Sequence, residues 1–208
     1  MKKYDVYLFD FDGTLVDSYE SLKLVFEEAY RRVNTIVPEG YTLRLMRVPL
    51  SVGYEELKAP QDEVSKKLFG DEIIRLLDEP EVLKATRIYD DVKNALRELH
   101  KQGKKLGIIS SNNRKHIFEV MKFLDIDHTL FDVVVGNQET RKHKPNPDPI
   151  LKGLEILGIG KDNVCYVGDG LDDMKCAFNA GVDSILVDRR DEYSDEHTVI
   201  IKNLSELI

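Results

Sequence analysis

Short unbroken apolar runs recur along this chain, and each is stopped by a polar, acidic or glycine residue. Val6-Tyr7-Leu8-Phe9 runs into Asp10, and comparable runs lie at Leu106 to Ile109, Val133 to Val135, Val164 to Val167 and Ile185 to Val187. A strand that is apolar at every position, rather than at alternate ones, is buried on both faces. Between the runs the apolar residues take up helical spacing. Val92, Leu96 and Leu99 precede Gly103, and Ile150, Leu151, Leu154 and Leu157 precede Gly158, glycine being the residue that most often ends a helix. The pair Asp148-Pro149 predicts the start of the latter helix, with Asp148 as its cap and Pro149 at the first helical position. Strand and helix in alternation call for a parallel sheet wrapped by helices, an α/β Rossmann-like three-layer core.

One stretch, Ser18 to Thr86, breaks that rhythm. It carries helical patterns only, first Leu22, Phe26 and Tyr30, then Val64, Leu68, Ile73 and Leu77, with turn-like Val37-Pro38-Glu39-Gly40 and Ala59-Pro60 between them. The expected organisation is therefore an α/β core over 1–17 and 87–208 with a helical cap inserted at 18–86. A chain of 208 residues is long enough to bury one such core with one substantial insertion.

The balance of residues narrows the function. Hydrophobic residues make up 42% and charged residues 33%, enough apolar surface to offset chain entropy. The formal charge is -8 and no basic block accompanies an aromatic stripe, so neither nucleic acid nor a membrane surface is an expected partner. Only a few apolar residues separate Met1-Lys2-Lys3-Tyr4-Asp5 from Asp10, too few for a signal sequence or a span, and the expected location is the cytoplasm. The expected state is a monomer or weak homodimer. Cys165 and Cys176 lack Cys-x-x-Cys spacing and read as buried thiols in a reducing compartment.

In an open parallel sheet, ligands gather at the carboxyl ends of the strands. The first run ends in Asp10-Phe11-Asp12-Gly13-Thr14, the second in Ser110-Ser111-Asn112 and the fourth in Gly168-Asp169-Gly170-Leu171-Asp172-Asp173, while Lys144 precedes the helix that starts near Pro149. Any one Asp at a strand end is commonly a turn former or helix cap. Four carboxylates and one ammonium in one crevice are another matter, since at about 4 Å each like-charge pair costs roughly 4 kcal/mol at an effective dielectric of 20. A divalent cation resolves the conflict, and ligands that are all oxygen select Mg²⁺.

Asp10-x-Asp12-Gly13-Thr14, an apolar strand ending in Ser110, Lys144-Pro145 and Gly168-Asp169-x-x-x-Asp173 resemble, in order and spacing, the four motifs of the haloacid dehalogenase superfamily. The resemblance covers the whole chain, and the helical insert after the first motif is similar to the phosphoglycolate phosphatase and β-phosphoglucomutase branch. It implies a Mg²⁺-dependent phosphatase acting on a small phosphorylated metabolite. Asp10 would attack phosphorus and form an aspartyl phosphate, and Asp12 would protonate the leaving group and later take a proton from water. Ser110 and Lys144 would hold the phosphoryl oxygens. Asp10, the Asp12 backbone carbonyl and Asp169 would hold Mg²⁺, and Asp173 would either ligate through water or orient Lys144.

Other residues remain open on sequence grounds. Ser111 and Asn112 fit either phosphate donors or caps of the helix running through Ile117, Met121 and Leu124. Asp172 reads as a solvated helix-start residue, His143 as an exposed loop histidine, and Asp17-Ser18 as the capped start of the insert. Arg44, Arg47, Tyr54 and Lys58 could reach a substrate, although charged residues on such an insert usually face water. Two segments depart from the family pattern. Tyr89-Asp90-Asp91-Val92 stands where relatives carry Pro-Gly, and Met46-Arg47-Val48-Pro49-Leu50 lacks a Gly-containing loop. A phosphosugar mutase of the β-phosphoglucomutase type shares the same core, and a phosphate-accepting signalling module also gathers acids, a hydroxyl and a lysine around Mg²⁺. A dehalogenase would use neither Mg²⁺ nor an acid at Asp12.

Overall fold

The computed structural model describes residues 2–194 and 198–208. Its chain divides into two compact units, Met1–Asp17 with Ile88–Ile208, and Ser18–Arg87. In chain order the first unit opens with β1 (Val6–Phe9) and β2 (Val16–Asp17). The second holds α1 (Tyr19–Arg32), α2 (Thr42–Met46), α3 (Leu50–Glu56), α4 (Glu63–Leu77) and α5 (Pro80–Ala85). After β3 (Arg87–Ile88) come α6 (Val92–Lys101), β4 (Lys105–Ile109), α7 (Arg114–Phe123), β5 (Val133–Val135) and α8 (Asp148–Leu157). The chain closes with β6 (Val164–Gly168), α9 (Leu171–Ala180), β7 (Asp183–Val187) and β8 (Ile200–Ile201).

Six strands form one sheet in the order β5-β4-β1-β6-β7-β8, with every pair parallel. The strand that carries Asp10 is thus central, flanked by those that end in Ser110 and Asp169. The sheet's order turns there: β4 and β5 lie to one side of β1, and β6 to β8 to the other. This is where an open α/β sheet leaves a crevice beyond its strand ends. All four residues of β1 are buried, as the unbroken apolar run requires, and each fully buried aliphatic or aromatic side chain contributes about 1.5–3 kcal/mol. Val6, Leu8, Ile109, Val135, Ile150, Leu154 and Tyr166 pack in one cluster with Cys176 and Ala177 of α9.

Most of the strand and helix readings hold, with differences at the edges. The helix expected to start at Pro149 with Asp148 as its cap begins instead at Asp148, with Pro147 at the cap position and no side-chain cap hydrogen bond, so Asp148 is the first helical residue and Pro149 sits one position further in than expected. Gly158 ends it with φ 65, as a left-handed cap should. The edge strand β8 is only two residues long, too short to leave a period in the sequence.

Apart from Arg87, which begins β3, the regular structure of the second unit is helical. Phe26, Tyr30, Tyr54, Phe69, Ile73 and Leu77 form its core, with the Tyr30, Tyr54 and Phe69 rings 4.6–6.2 Å apart. Val64 and Leu68, read as part of the same apolar stripe, instead face out, Val64 being 78% exposed. The buried face of α4 is set by Phe69 and Leu76, one step around the helix from that stripe. Among the described residues no helix is long and apolar enough to cross a membrane.

Candidate active site

Asp10 leaves β1 with its backbone N–H donated to Val167 of the neighbouring strand at 2.8 Å, and only 7% of the residue is exposed. Beyond it the chain turns sharply: Gly13 donates to the Val16 carbonyl, and both Leu15 and Val16 donate back to Phe11. Gly13 has φ 82, and a Cβ there would lie 2.5 Å from Asp169 Oδ2, so this turn backs directly onto the Asp169 carboxylate. The Thr14 hydroxyl donates to Asp169 Oδ1 at 3.4 Å.

The loop after β5 delivers Lys144, which precedes a cis Pro145. Its ammonium donates to Asp10 Oδ1 at 2.8 Å, to Asp173 Oδ1 at 2.7 Å and to the Tyr166 hydroxyl at 3.3 Å, using all three donors. Asp173, in the first turn of α9, also accepts the Gly170 N–H on Oδ2 at 3.0 Å. The single proton of Tyr166 is shared between the Ile109 carbonyl at 2.9 Å and Asp173 Oδ1 at 3.2 Å.

The electrostatics follow from this crowding. Burial, reinforced by the charges of Asp173 and Asp169, pushes the Asp10 carboxyl well above the usual range against the opposing pull of Lys144. Burial draws Lys144 down, but Asp10 and Asp173 outweigh it and hold the ammonium well above its ordinary value. One ammonium is therefore bonded to two carboxylates, with a third, Asp169, close by. Asp10, Asp169 and Asp173 each place an oxygen within 4.8 Å of the others, an acidic cluster that could bind a metal. The donor set fits a hard divalent cation: it is all oxygen, and Lys144 leaves it with surplus negative charge.

The remaining candidate residues fall into place around this cluster. Ser110 is buried, receives the Asn112 N–H on its hydroxyl at 3.0 Å, and so keeps its own proton to donate elsewhere. Asn112 sends its amide to Asp12 Oδ2 at 3.3 Å. Neither Ser111 nor Asn112 caps α7; that is done by Asn113, whose Oδ1 accepts from His116 N at 2.8 Å. Ser111 is exposed, as is His143. Asp172 meets Lys175 at 3.6 Å on the outside of α9.

Asp17 and Ser18 do not cap as expected. Ser18 occupies the cap position of α1 without a side-chain cap bond, and Asp17 lies 3.7 Å from Arg190. In the helical unit, Arg44 is paired with Glu56, and Tyr54 is buried with its hydroxyl on the Pro60 carbonyl, so these two serve that unit's own structure.

Sequence reasoning missed Tyr166. The signal was a polar tip inside an otherwise apolar run, Val164-Cys165-Tyr166-Val167, where a buried hydroxyl must find partners. Cys176 lies beneath the site with its thiol on the Asn146 carbonyl at 2.9 Å, and burial pushes it up to about 12, which leaves it inert.

Comparison with known proteins agrees with this geometry. The profile of the haloacid dehalogenase-like hydrolases matches residues 7–187. A protein of Caldanaerobacter subterraneus, provisionally named pyrophosphatase PpaX, is 32% identical over 192 residues, 89% of this chain and 82% of its own length. A phosphoglycolate phosphatase of Aquifex aeolicus is 29% identical over 186 residues, 87% of this chain and 83% of its own. Among solved structures, a provisionally assigned haloacid dehalogenase-like hydrolase from Bacteroides fragilis superposes with a TM-score of 0.90 at 29% identity, covering 99% of this chain and 100% of its own. A parallel sheet with acids at the ends of β1 and β6 and a bridging lysine, together with these relatives, places the chain in the haloacid dehalogenase-like hydrolase family.

Proposed function

We propose that this protein is a Mg²⁺-dependent phosphatase that hydrolyses small phosphorylated metabolites through an aspartyl phosphate on Asp10. The observation that carries the reading is the Lys144 ammonium, buried and bonded to Asp10 and Asp173 at once. A nucleophilic carboxylate needs a cation beside it to stay ionised where water is scarce, and a phosphoryl group arriving there needs the same cation.

In the first step an Asp10 oxygen forms a bond to phosphorus as the bond to the leaving oxygen breaks, and Asp12 gives that oxygen a proton. In the second, Asp12 takes a proton from water as the water oxygen attacks phosphorus, freeing Asp10 and inorganic phosphate. The Asn112 amide on Asp12 supports this assignment, because it holds the carboxyl in one rotamer. Ser110 and Lys144 bind phosphoryl oxygens, with Ser111 and Asn112 as further donors. Asp173, with its oxygens engaged by Lys144, Tyr166 and Gly170, orients the lysine in addition to completing the acidic cluster.

Asp10, the Asp12 carbonyl and Asp169, with Asp173 behind them, would hold Mg²⁺, which when bound neutralises charge on the transferring phosphoryl group. The insert at 18–86 acts as a cap that sets substrate choice, and the protein works in the cytoplasm. The relatives' names make pyrophosphate and phosphoglycolate the first substrates to try. The test is hydrolysis of p-nitrophenyl phosphate with and without Mg²⁺, followed by a panel of pyrophosphate, phosphoglycolate and sugar phosphates. No Mg²⁺-dependent release of phosphate from any of them would overturn the reading.

A further inference from the structure

Arg189 follows β7, and only 7% of its side chain is exposed. Its Nη1 donates to Asp91 Oδ1 at 2.8 Å and its Nη2 to the Thr14 carbonyl at 2.9 Å, while the guanidinium lies 4.1 Å from the centre of the Tyr89 ring. Asp91 uses its other oxygen, Oδ2, to accept the Leu204 N–H at 2.6 Å. One planar fork thus ties the turn after β1 to the start of α6 and the chain's final turn, a geometry that lysine's single ammonium cannot reproduce.

Burying a cation is seldom net stabilising, since desolvation offsets most of what the pair gains. Among the described residues the buried Arg189 Nε–H meets no hydrogen-bond partner, a further cost to folding. The arrangement makes more sense as placement. The carbonyl that Arg189 holds belongs to the residue whose hydroxyl bonds Asp169, and the preceding Gly13 lies against that same carboxylate. Asp169 sits within a cluster of like charges that repel it, so something must fix its rotamer.

We propose that Arg189 is a positioning residue for the acidic cluster: through Thr14 it fixes the Asp169 carboxylate and thereby sets the protein's affinity for a divalent cation. It touches none of the reacting atoms. The inference rests on the Mg²⁺ reading given above, and it predicts that a residue at the far end of β7 tunes metal binding, as groups that hold a metal's ligands do.

The experiment measures Mg²⁺ affinity by titration calorimetry on the full chain without substrate, alongside Tm in EDTA, for wild type, Arg189→Met, Arg189→Lys, Thr14→Val and Thr14→Ser. Arg189→Met and Thr14→Val are expected to weaken Mg²⁺ binding about tenfold or more, Thr14→Ser to keep it, and the double variant Arg189→Met with Thr14→Val to be little weaker than either single one. Arg189→Lys, which keeps the charge but not the fork, should also bind Mg²⁺ more weakly than wild type. A lowered Tm with unchanged Mg²⁺ affinity in the folded variants would make Arg189 merely structural and overturn the proposal. Should Arg189→Met fail to fold, wild-type affinity in both Arg189→Lys and Thr14→Val would overturn it equally. A wild type that neither binds Mg²⁺ nor releases phosphate sinks the phosphatase reading and this inference with it. A wild type that does both, with variants binding alike, sinks this inference alone.

Discussion

Lys144 and Asp173 meet at 2.7 Å with less than a tenth of either side chain exposed, and the same ammonium reaches Asp10 at 2.8 Å. The lysine is therefore stretched between a residue poised to react and one fixed to the first turn of α9. Replacing Asp173 with Asn keeps the shape and removes the charge. A hydrogen bond to a charged group is worth about 1.5–3 kcal/mol, so kcat should fall roughly 10–100-fold in Asp173→Asn. Steady-state kinetics on p-nitrophenyl phosphate check this, and a wild-type kcat would show that Lys144 needs no anchor.

Asp10→Asn should abolish turnover while leaving Tm equal to or above wild type. An amide is a poor nucleophile of nearly the same shape. It also relieves a buried carboxyl whose ionised form burial and two neighbouring acids oppose. Thermal unfolding and activity measured on the same preparation test both halves, and retained turnover would end the proposed mechanism.

Removing divalent ions with EDTA should silence the enzyme, and Mg²⁺ should restore it while Ca²⁺ does so poorly. Calcium takes more ligands at longer distances, which misplaces a nucleophile that must also coordinate. Full activity in EDTA would contradict the metal site.

Gly13→Ala places a Cβ 2.5 Å from Asp169 Oδ2 on a backbone with φ 82. Both steric demands fall on the turn that carries Thr14, so the expected cost is about 1–3 kcal/mol of stability together with loss of Mg²⁺-dependent activity. Denaturant unfolding and a Mg²⁺ activation curve measure the two effects. A variant that keeps the wild-type activation midpoint would show that Asp169 can move away freely.

The sheet was legible because its central strands are apolar at every position, a signal that β8, with only Ile200 and Ile201, is too short to give. The acids at the ends of β1 and β6 were legible for a related reason: a carboxylate directly after a buried run has few structural excuses when three others share its address. Partners that act through backbone or from afar were not. Tyr166 lies within an apolar run, and nothing local in the sequence marks Arg189, whose partners Asp91 and Thr14 lie 98 and 175 positions away. The outward turn of Val64 and Leu68 was also hidden, because two neighbouring stripes on α4 are both apolar and only packing decides between them.

Asp188, at the end of β7, supplies a prediction about pH. Burial pushes its carboxyl up, but the Glu192 N–H at 3.0 Å, the Lys202 ammonium at 2.9 Å, and the Tyr193 and Arg190 N–H groups outweigh it and bring it down to about 2. A carboxyl depressed in the folded state stabilises the protein above its unfolded value near 3.8, and that stability disappears as the pH falls toward 2. Asp188→Asn removes the charge at every pH. At neutral pH the variant should be less stable by roughly 1 kcal/mol, a figure set low because Lys202 is half exposed and screened by solvent. The gap should close between about pH 4 and pH 2, where the wild-type carboxyl becomes as neutral as the amide. Urea unfolding of both proteins across that window cancels the other carboxylates, which titrate alike in each. A difference that stays constant with pH would mean that the shape of the side chain, and not its charge, is what the loop after β7 requires.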